Sequence, residues 1–316
     1  MKYFIITIDT EGDDQWNWKL GKKITTENVK YLPRFQNLCN KYEFKPVWLS
    51  NYEMLQDDNY VDFISSVEAS NTGELGMHLH AWSTPPFYEL PIEEKGAPYL
   101  IEYPDEIMEE KIITMTEIIK QRTGIVPVSH RAGRWATDSR YFSMINQYGY
   151  LVDCSVSPHI NWKSSVGMTK DFGGTDYTNF PESPYIISGT SILEVPVTIR
   201  NVHDFIRADG FSVMNTARSF YHVFKGQNLW CSPNNTSLHG LKKIAQHINE
   251  SSKEEDDYLM FFTHSSQLMP GGSPQYRTVE SIELLYKKVE LFFEDISRSY
   301  VGITLRDFYL LKKNEI

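Results

Sequence analysis

The chain has 316 residues, of which 41% are hydrophobic and 14% aromatic, and its formal net charge is −10. This composition predicts a folded globular protein and excludes a largely disordered one. The negative charge argues against nucleic acid and anionic membrane surfaces as partners. The three cysteines have no CxxC spacing, so neither a disulfide framework nor a cysteine zinc site is indicated.

Predicted strands and helices alternate from one end of the chain to the other. Strands are predicted at 3–9, 45–50, 74–80, 126–131, 150–155, 192–198, 257–263 and 301–305, and helices at 27–42, 57–68, 104–122, 137–148, 237–251 and 276–296. The alternation predicts an α/β fold with a parallel sheet, and seven or eight such units favour a barrel over an open sheet.

We expect one catalytic domain over residues 1–316. Three long irregular stretches, at about 81–103, 156–191 and 199–235, are candidates for substrate-binding walls.

No apolar run is long enough to span a membrane, and the run before Asp9 does not have the form of a secretory signal. A cytoplasmic location is therefore expected.

The first polar segment follows the strand predicted at 3–9 and contains Asp9 and Glu11. Side chains two apart on a strand share a face, and at a strand end both can turn into one pocket. One carboxylate can then ligate a divalent ion while the other accepts a proton from water. The alternative is an ordinary polar turn, because Gly12 and Asp13 follow directly.

The second polar segment, His78-Leu79-His80, ends the strand predicted at 74–80. The two-residue spacing projects both imidazoles to one side, which suits two nitrogen ligands of one ion. Two imidazoles and one carboxylate also leave a coordination position open for water, as a catalytic metal requires. The alternative is a pair of ordinary core or surface histidines. We favour a divalent metal held by Glu11 or Asp9 together with His78 and His80.

Three further predicted strand ends contain candidate site residues. Arg131 or Arg134 could keep Asp9 ionised through a bidentate pair, or could serve as a surface ion pair or a substrate-binding arginine. Asp153 is either a partner for a histidine or a strand-end cap. His264 could act as a general acid, or be a hydrogen-bonded histidine with no catalytic role. Because the carboxyl ends of parallel strands gather at one edge, we expect a metal-dependent hydrolase.

Taken in chain order, five segments resemble the motifs of the NodB-type polysaccharide deacetylases, carbohydrate esterase family four. The segments are Thr7 to Glu11, Glu74 to His80, His130 to Arg134, Asp153 to Ser155, and Tyr258 to His264. In detail, the surroundings of the second, third and fifth segments resemble a divergent branch labelled WalW- or WbmS-like. Members of that branch tend to occur among bacterial surface-polysaccharide genes.

The chain departs from the family pattern at two positions. The family's first motif has adjacent aspartates, base then ligand, and Thr10 stands where the second would be, so we infer that Glu11 takes the ligand role. The family spaces its two metal histidines four apart, whereas the spacing here is two, so His80 replaces the second histidine by proximity.

The resemblance implies a (β/α) barrel of seven strands and the hydrolysis of an N-acetyl group on a sugar, giving acetate and a free amine. It implies a divalent ion, Zn²⁺ above all, held by the ligands named above. Asp9 would be the base and His264 the acid, supported by Arg131 or Arg134 and by Asp153. The candidates for stacking on the sugar are Trp82, Trp135, Tyr88 and Tyr276, with packing in the core as the alternative and more common role of such aromatic residues.

Two other function classes stay open: a carbohydrate-binding protein without metal or activity, and a metal-dependent glycoside hydrolase on a related barrel. Acetate release, as opposed to new reducing ends, separates the two hydrolases. In a cytoplasmic protein the substrate would be a nucleotide- or lipid-linked sugar. Its phosphates would need a basic cluster, for which the candidates are Arg131, Arg134, Arg140, Lys163 and Lys170. The alternative, which we favour slightly, is that these charges are solvated or paired with the 41 acidic residues.

Overall fold

The chain forms a curled sheet with helices packed on its outer face in the computed structural model, which describes residues 2–13, 15–17, 19, 21–209, 221–251 and 258–313. The strands are β1 (Lys2–Thr10), β2 (Pro46–Ser50), β3 (Glu74–Leu79), β4 (Ser129–Ala132), β5 (Val152–Asp153), β6 (Tyr185–Ile186), β7 (Leu193–Glu194), β8 (Ile199–Val202), β9 (Gln227–Trp230), β10 (Tyr258–His264) and β11 (Tyr300–Gly302). The helices are α1 (Leu32–Lys41), α2 (Asp58–Ala69), α3 (Asp105–Thr123), α4 (Ser139–Gln147), α5 (Leu238–Glu250), α6 (Val279–Ile296) and α7 (Leu305–Lys312).

Short polar side chains fix where most of these helices begin. The side chain that precedes the first turn accepts a backbone N–H and so satisfies one of the four donors that a helix start leaves unpaired. The capping residues are Asp57 for α2, Asp138 for α4, Ser237 for α5, Thr278 for α6 and Thr304 for α7. Helix α3 ends at Gly124, whose φ of 74° lies in the left-handed region that glycine tolerates.

The sheet has the order β10-β1-β2-β3-β4-β5-β7-β6, and β11 also pairs with β1. Every neighbouring pair from β10 to β7 is parallel, and β6 is antiparallel to β7. The expected α/β class with a mainly parallel sheet is therefore confirmed. Because the strands are parallel, the residues that follow them meet at one edge.

No backbone ladder joins β7 to β10 in the described ranges, so the sheet is a curled half barrel. The closed barrel of seven strands is not formed by strand pairing there, because β7 ends after two residues and the chain continues into the antiparallel ribbon β8–β9. Single bonds cross this side instead: the Met260 N–H donates to Thr198 Oγ1 (2.8 Å) and the Phe262 N–H donates to the Cys231 carbonyl (3.1 Å).

Alternation along β1 determines which side chains reach the concave side of the sheet. Ile5 packs there with residues of β2, β5, β7 and β10, whereas Phe4, Ile6 and Ile8 pack in the layer shared with the helices. Residues two apart on a strand share a face. Thr7 and Asp9 therefore lie on the Ile5 side, inside the curl and at its carboxyl edge.

Most predicted elements occur within a few residues of their expected bounds. The exception is the C-terminal region, where the strand expected at 301–305 is β11 and is followed by helix α7, which was not predicted. The stretch expected to be irregular at 199–235 contains the β8–β9 ribbon, and its residues 210–220 lie outside the described ranges. None of the described helices combines the length and apolar character needed to cross a bilayer.

Close packing at β3 gives a test of the sheet. A Cβ added at Gly76 would lie 2.4 Å from Ser129 Oγ and 2.6 Å from Leu49 Cδ2, both on neighbouring strands. We expect Gly76→Ala to lower the free energy of unfolding by about 1–3 kcal/mol, as overpacked cores do. Urea unfolding measures this as a lower midpoint at constant slope. In a Ser129→Ala background, Gly76→Ala should lower the free energy of unfolding by less, because the Ser129 Oγ atom is gone. An unchanged midpoint in the Gly76→Ala single variant would contradict the close packing at Gly76.

Candidate metal and acid–base site

Four strand ends that are distant in the sequence meet at the carboxyl edge of the sheet. Asp9 pairs in register with His264, and His78 pairs in register with Arg131. These strand ends surround a cavity of about 350 Å³. Its walls are formed by Asp9, Glu11, Gln15, Trp16, His78, His80, Trp82, Lys95, Ala97, Ala132, Arg134, Trp135 and His264. The convergence that the sequence predicted for Asp9, Glu11, His78, His80 and His264 is thus present.

Glu11, His78 and His80 form a buried cluster of possible metal ligands. Glu11 Oε2 lies 3.2 Å from His80 Nε2 and 3.9 Å from His78 Nε2. The two Nε2 atoms are 2.9 Å apart. A tetrahedral zinc ion with nitrogen and oxygen ligands at about 2.0–2.1 Å keeps its ligand atoms roughly 3.3 Å apart. The spacing and the donor set of two imidazoles and one carboxylate therefore fit a divalent ion.

The orientation of His78 also fits a ligand role. Its Nδ1 lies 2.9 Å from the Arg131 carbonyl oxygen, which can only accept, so the ring proton is on Nδ1 and the lone pair of Nε2 points at Glu11 and His80. The Nδ1 of His80 is buried and has no hydrogen-bond partner in the described part of the chain. The ring of His80 instead stacks on Trp82, with centroids 4.3 Å apart.

Burial controls the charge of this cluster. It lowers the pKa of His78 to about 4 and the pKa of His80 well below its ordinary value, so both imidazoles are neutral near pH 7. Burial, together with the nearby charges of Asp9 and Glu53, raises the pKa of Glu11 well above its ordinary value. A bound cation would favour the ionised form of Glu11 and would need the histidines neutral, as they are.

Asp9 is held by Arg131 and not by Arg134, which settles the choice that the sequence left open. Arg131 is fully buried; its Nη1 donates to Asp9 Oδ1 (2.6 Å), its Nη2 to Thr7 Oγ1 (2.8 Å) and its Nε to the Cys154 carbonyl (3.0 Å). Burial opposes the charge on Asp9, but Arg131, aided by His78 and His264, outweighs it and lowers the pKa of Asp9 below its ordinary value. Asp9 is therefore an ionised carboxylate whose Oδ1 is occupied.

His264 ends β10 and lines the same cavity as the possible metal ligands. Its Nε2 is 3.7 Å from Asp9 Oδ2, and its ring meets the edge of Trp16 at a centroid distance of 5.1 Å. Burial lowers the pKa of His264, and the charge of Asp9 partly opposes that shift. The backbone N–H of His264 donates to Gln267 Oε1 (3.0 Å), which fixes the end of β10.

Arg134 lines the cavity and connects two loop segments through its hydrogen bonds. It has a left-handed φ of 55° and donates to the carbonyls of Ala97 and Val166 and to Ser165 Oγ (3.1 Å for the last). Its guanidinium also lies 3.9 Å from the centroid of Tyr99. These contacts join the stretches 81–103 and 156–191. Trp82, Lys95 and Ala97 of the first stretch line the cavity, and the role of both stretches as substrate-binding walls stays a prediction.

Asp153 faces the layer between the sheet and α4, away from the cavity. It contacts His130 Nδ1 and accepts from the Ser155 N–H (2.9 Å) and Ser155 Oγ (2.9 Å). Ser155 Oγ in turn accepts the Ala132 N–H (2.8 Å). Asp153 is thus a partner for a histidine, but for His130 and not for a possible metal ligand. Its connection to the site runs through the backbone beside Arg131.

The aromatic residues proposed to contact sugar separate into two groups. Trp82 and Trp135 line the cavity, although one face of Trp82 is covered by His80 and Trp135 lies 4.9 Å from the Arg131 guanidinium. Tyr88 is 44% exposed and packs near Tyr103 outside the lining of the cavity. Tyr276 contacts the Pro233 carbonyl in a different part of the surface.

Gln15, Trp16 and Lys95 also line the cavity, and none of the three was a candidate site residue by itself. Gln15 and Trp16 lie in a short 3-10 helix (Gln15–Asn17) and Lys95 in the irregular stretch 81–103, and none belongs to a motif, so only the three-dimensional structure brings them to the strand ends. The arginines expected to form a phosphate site are each engaged by protein groups. Arg131 binds Asp9, Arg134 binds the loops, and Arg140 pairs with Asp105 (2.6 Å) and Asp138 (2.7 Å).

Neither a family model nor a curated protein matches this sequence. Several solved structures resemble it. A proposed glycoside hydrolase/deacetylase from Parabacteroides distasonis has a TM-score of 0.62 at 11% identity, over 99% of this chain and 71% of the other. A proposed polysaccharide deacetylase from Mycobacterium smegmatis has a TM-score of 0.55 at 11% identity, over 99% and 91%.

A branching enzyme of glycoside hydrolase family 57 from Thermococcus kodakaraensis has a TM-score of 0.53 at 11% identity, over 97% of this chain and 70% of the other. At such identities these likenesses establish the fold alone. The chain therefore shares its fold with proteins described as deacetylases and with one described as a branching enzyme.

The hydrogen bonds around Asp153 predict that this residue contributes to the stability of the fold. Asp153→Ala would leave His130 Nδ1 and the two Ser155 donors buried without their acceptor. We expect the free energy of unfolding to fall by about 3 kcal/mol or more, from roughly 1–3 kcal/mol for each unsatisfied group. Denaturant unfolding measures it. Asp153→Asn keeps the shape and part of the bonding and should cost less; equal stability of all three proteins would show that the network contributes nothing.

Proposed function

We propose that this protein is a divalent-metal-dependent carbohydrate N-deacetylase, which hydrolyses the N-acetyl group of a sugar to acetate and a free amine. One observation carries the proposal: the buried Glu11–His78–His80 cluster lies in the same cavity as His264 and an Asp9 held ionised by Arg131. The order of the five segments resembling NodB-type deacetylases, and the WalW- or WbmS-like details, support the same assignment over a single catalytic domain.

Glu11, His78 and His80 would hold the ion, and Zn²⁺ is the best candidate because two imidazoles and one carboxylate are a common catalytic zinc set. When bound, such an ion supplies Lewis-acid polarisation of an acyl carbonyl and a lower pKa for water. The ligand role goes to Glu11 and not Asp9, because Asp9 Oδ1 is committed to Arg131 and its Oδ2 faces His264.

Asp9 would accept the proton of the attacking water, since Arg131 keeps it ionised and fixed in place. His264, 3.7 Å from Asp9 Oδ2, would protonate the departing amine. Arg134 would hold the wall over the cavity, Asp153 would support the strand that carries Arg131, and Trp82 and Trp135 would exclude water beside the sugar.

The substrate would be an N-acetylated sugar of a bacterial surface polysaccharide or of its precursor. That the precursor is nucleotide- or lipid-linked stays a prediction. The arginines expected to bind its phosphates do not support it, because Arg131, Arg134 and Arg140 already bind protein groups. The cytoplasmic location stays a prediction in the same sense.

The first prediction concerns metal content. We expect His78→Ala with His80→Ala to lose both bound divalent metal and acetate release, because two of the three ligands are gone. The fold should survive, since the helix layer and the concave core do not include these side chains. Elemental analysis and far-UV circular dichroism measure the two effects. Unchanged metal content in the double variant would refute the ligand assignment.

A second prediction separates base from ligand. Asp9→Asn should lower the rate of acetate release on the order of 100-fold or more while zinc content stays at one per chain, because a base is lost and no ligand is. Glu11→Gln is the matched carboxylate-to-amide control and should lose zinc as well as activity. If Asp9→Asn loses the metal and Glu11→Gln keeps it, the two roles are reversed. Release of reducing ends without acetate would favour the glycoside hydrolase.

A further inference from the structure

Glu11 is the first residue beyond the end of β1, and side chains take over the hydrogen bonds of its backbone. Because β1 ends at Thr10, the N–H and carbonyl of Glu11 have no strand to pair with in the described ranges, although Glu11 is only 3% exposed. Buried backbone groups are costly unless they are paired. Two residues from distant parts of the chain, Ser265 and Asn28, supply the missing bonds.

Ser265 bonds both backbone groups of Glu11. Its Oγ accepts the Glu11 N–H (3.0 Å) and donates to the Glu11 carbonyl (3.0 Å). A serine hydroxyl can do both because it offers one donor and two acceptor lone pairs. Ser265 is fully buried and directly follows His264, the last residue of β10. The backbone of Glu11 is thus tied to the strand that ends in the proposed acid.

Asn28 binds the same carbonyl from the segment that precedes α1. Its Nδ2 donates to the Glu11 carbonyl (2.9 Å) and to Asp13 Oδ1 (2.7 Å), and Asp13 Oδ1 also accepts the Asn28 N–H (3.0 Å). Asn28 is fully buried, so water does not compete for these bonds. The chain is therefore held at Glu11 and again two residues later, at Asp13.

The residue between these two points is closely packed. A Cβ added at Gly12 would lie 2.1 Å from Ile24 Cγ2 and 3.0 Å from the Thr25 carbonyl oxygen. That carbonyl also accepts the Asp13 N–H (2.7 Å). The backbone that follows Glu11 therefore has little room to move.

The carboxylate of Glu11 has no comparable support of its own. In the part of the chain that the structure describes, its polar contacts are His80 Nε2 (3.2 Å) and His78 Nε2 (3.9 Å). No backbone N–H, hydroxyl or side-chain amide of those residues donates to it. Because the two imidazoles are the other proposed ligands, the place of the carboxylate is determined mainly by where the backbone of Glu11 is held.

The neighbouring residue shows why the ligand role falls to position 11. Thr10 lies on the face of β1 opposite to Asp9, and its Oγ1 donates back to the Ile8 carbonyl (2.9 Å). Thr10 is fully buried and does not line the cavity. Glu11 is thus the next side chain after Asp9 that reaches the cavity, at a point where the strand pairing of β1 has already ended.

We propose that Ser265 and Asn28 are positioning residues for Glu11. By holding its N–H and carbonyl, they keep its carboxylate at the distance from His78 and His80 that a divalent ion requires. The inference rests on the proposed function for the presence of the ion. Both residues lie outside the five motif-like segments, and neither lines the cavity.

The affinity of the full chain for Zn²⁺ tests the inference, measured by competition with a chelating dye after bound metal has been removed. We expect Ser265→Ala to weaken zinc binding on the order of 10–100-fold, as is typical when a group that supports a metal ligand is lost. Asn28→Ala should change the affinity in the same direction, because it removes the other bond to the Glu11 carbonyl.

Ser266→Ala is the matched control. Ser266 is the adjacent and equally buried serine, and its Oγ has no hydrogen-bond partner in the described ranges. We expect this variant to keep the zinc affinity of the unaltered protein. A similar loss of affinity in Ser265→Ala and Ser266→Ala would overturn the inference.

Urea unfolding of the metal-free proteins separates positioning from stability. A purely structural role would lower the urea midpoint of Ser265→Ala and leave the zinc affinity of the folded variant unchanged. That result, or unchanged zinc affinity in both Ser265→Ala and Asn28→Ala, would overturn the inference. If one of the two variants does not fold without metal, the zinc affinity of the other decides.

Acetate release from N-acetylglucosamine and its β-1,4-linked tetramer, followed in parallel, tests the proposed function separately. Zinc affinity that depends on Ser265, without acetate release from either probe, would keep the positioning role and count against the deacetylase. Acetate release with a zinc affinity that neither variant changes would keep the deacetylase and overturn the positioning role. An unaltered protein that binds no zinc would overturn both.

Discussion

The buried ion pair of Arg131 and Asp9 is the interaction on which the rest of the site depends. A fully buried guanidinium is tolerated only when its donors are satisfied, and here Asp9, Thr7 and the Cys154 carbonyl satisfy them. The pair spans β1, β4 and β5, so it exists only when those strands are in their observed register. The pair also affects the charge of the site, because Arg131 keeps the Asp9 carboxylate ionised on the concave side of the sheet.

The same strand that supplies Arg131 also orients a possible metal ligand. The Arg131 carbonyl accepts from His78 Nδ1, and its guanidinium donates to Asp9, so one residue sets the tautomer of the possible ligand and the charge of the proposed base. Through Arg131 the possible metal ligands and the proposed acid–base pair are therefore linked structurally. Any change that moves β4 relative to β3 and β1 should disturb both functions together.

Much of this arrangement could be predicted from the sequence, for a physical reason. Parallel strands bring their carboxyl ends to one edge, and spacing by two puts side chains on one face, so Asp9, His78 and His264 were expected to meet. The choice between Arg131 and Arg134 was not predictable, because the two lie only three residues apart at the end of one strand. Arg131 is inside β4, whereas Arg134 follows it in a left-handed conformation and contacts the loops. Trp16 reaches the cavity from a three-residue 3-10 helix and Lys95 from an irregular segment, and both are too short or too irregular for periodicity to predict their position.

The central claim is that Glu11, His78 and His80 hold a divalent ion while Asp9 stays with Arg131. Anomalous scattering at the zinc edge from a crystal grown with Zn²⁺ tests it most directly. The account predicts one strong peak within bonding distance of Glu11 Oε2 and of both Nε2 atoms, with the Asp9–Arg131 pair intact. An ion coordinated by Asp9 with that pair broken, or no ion at this cluster, would contradict it.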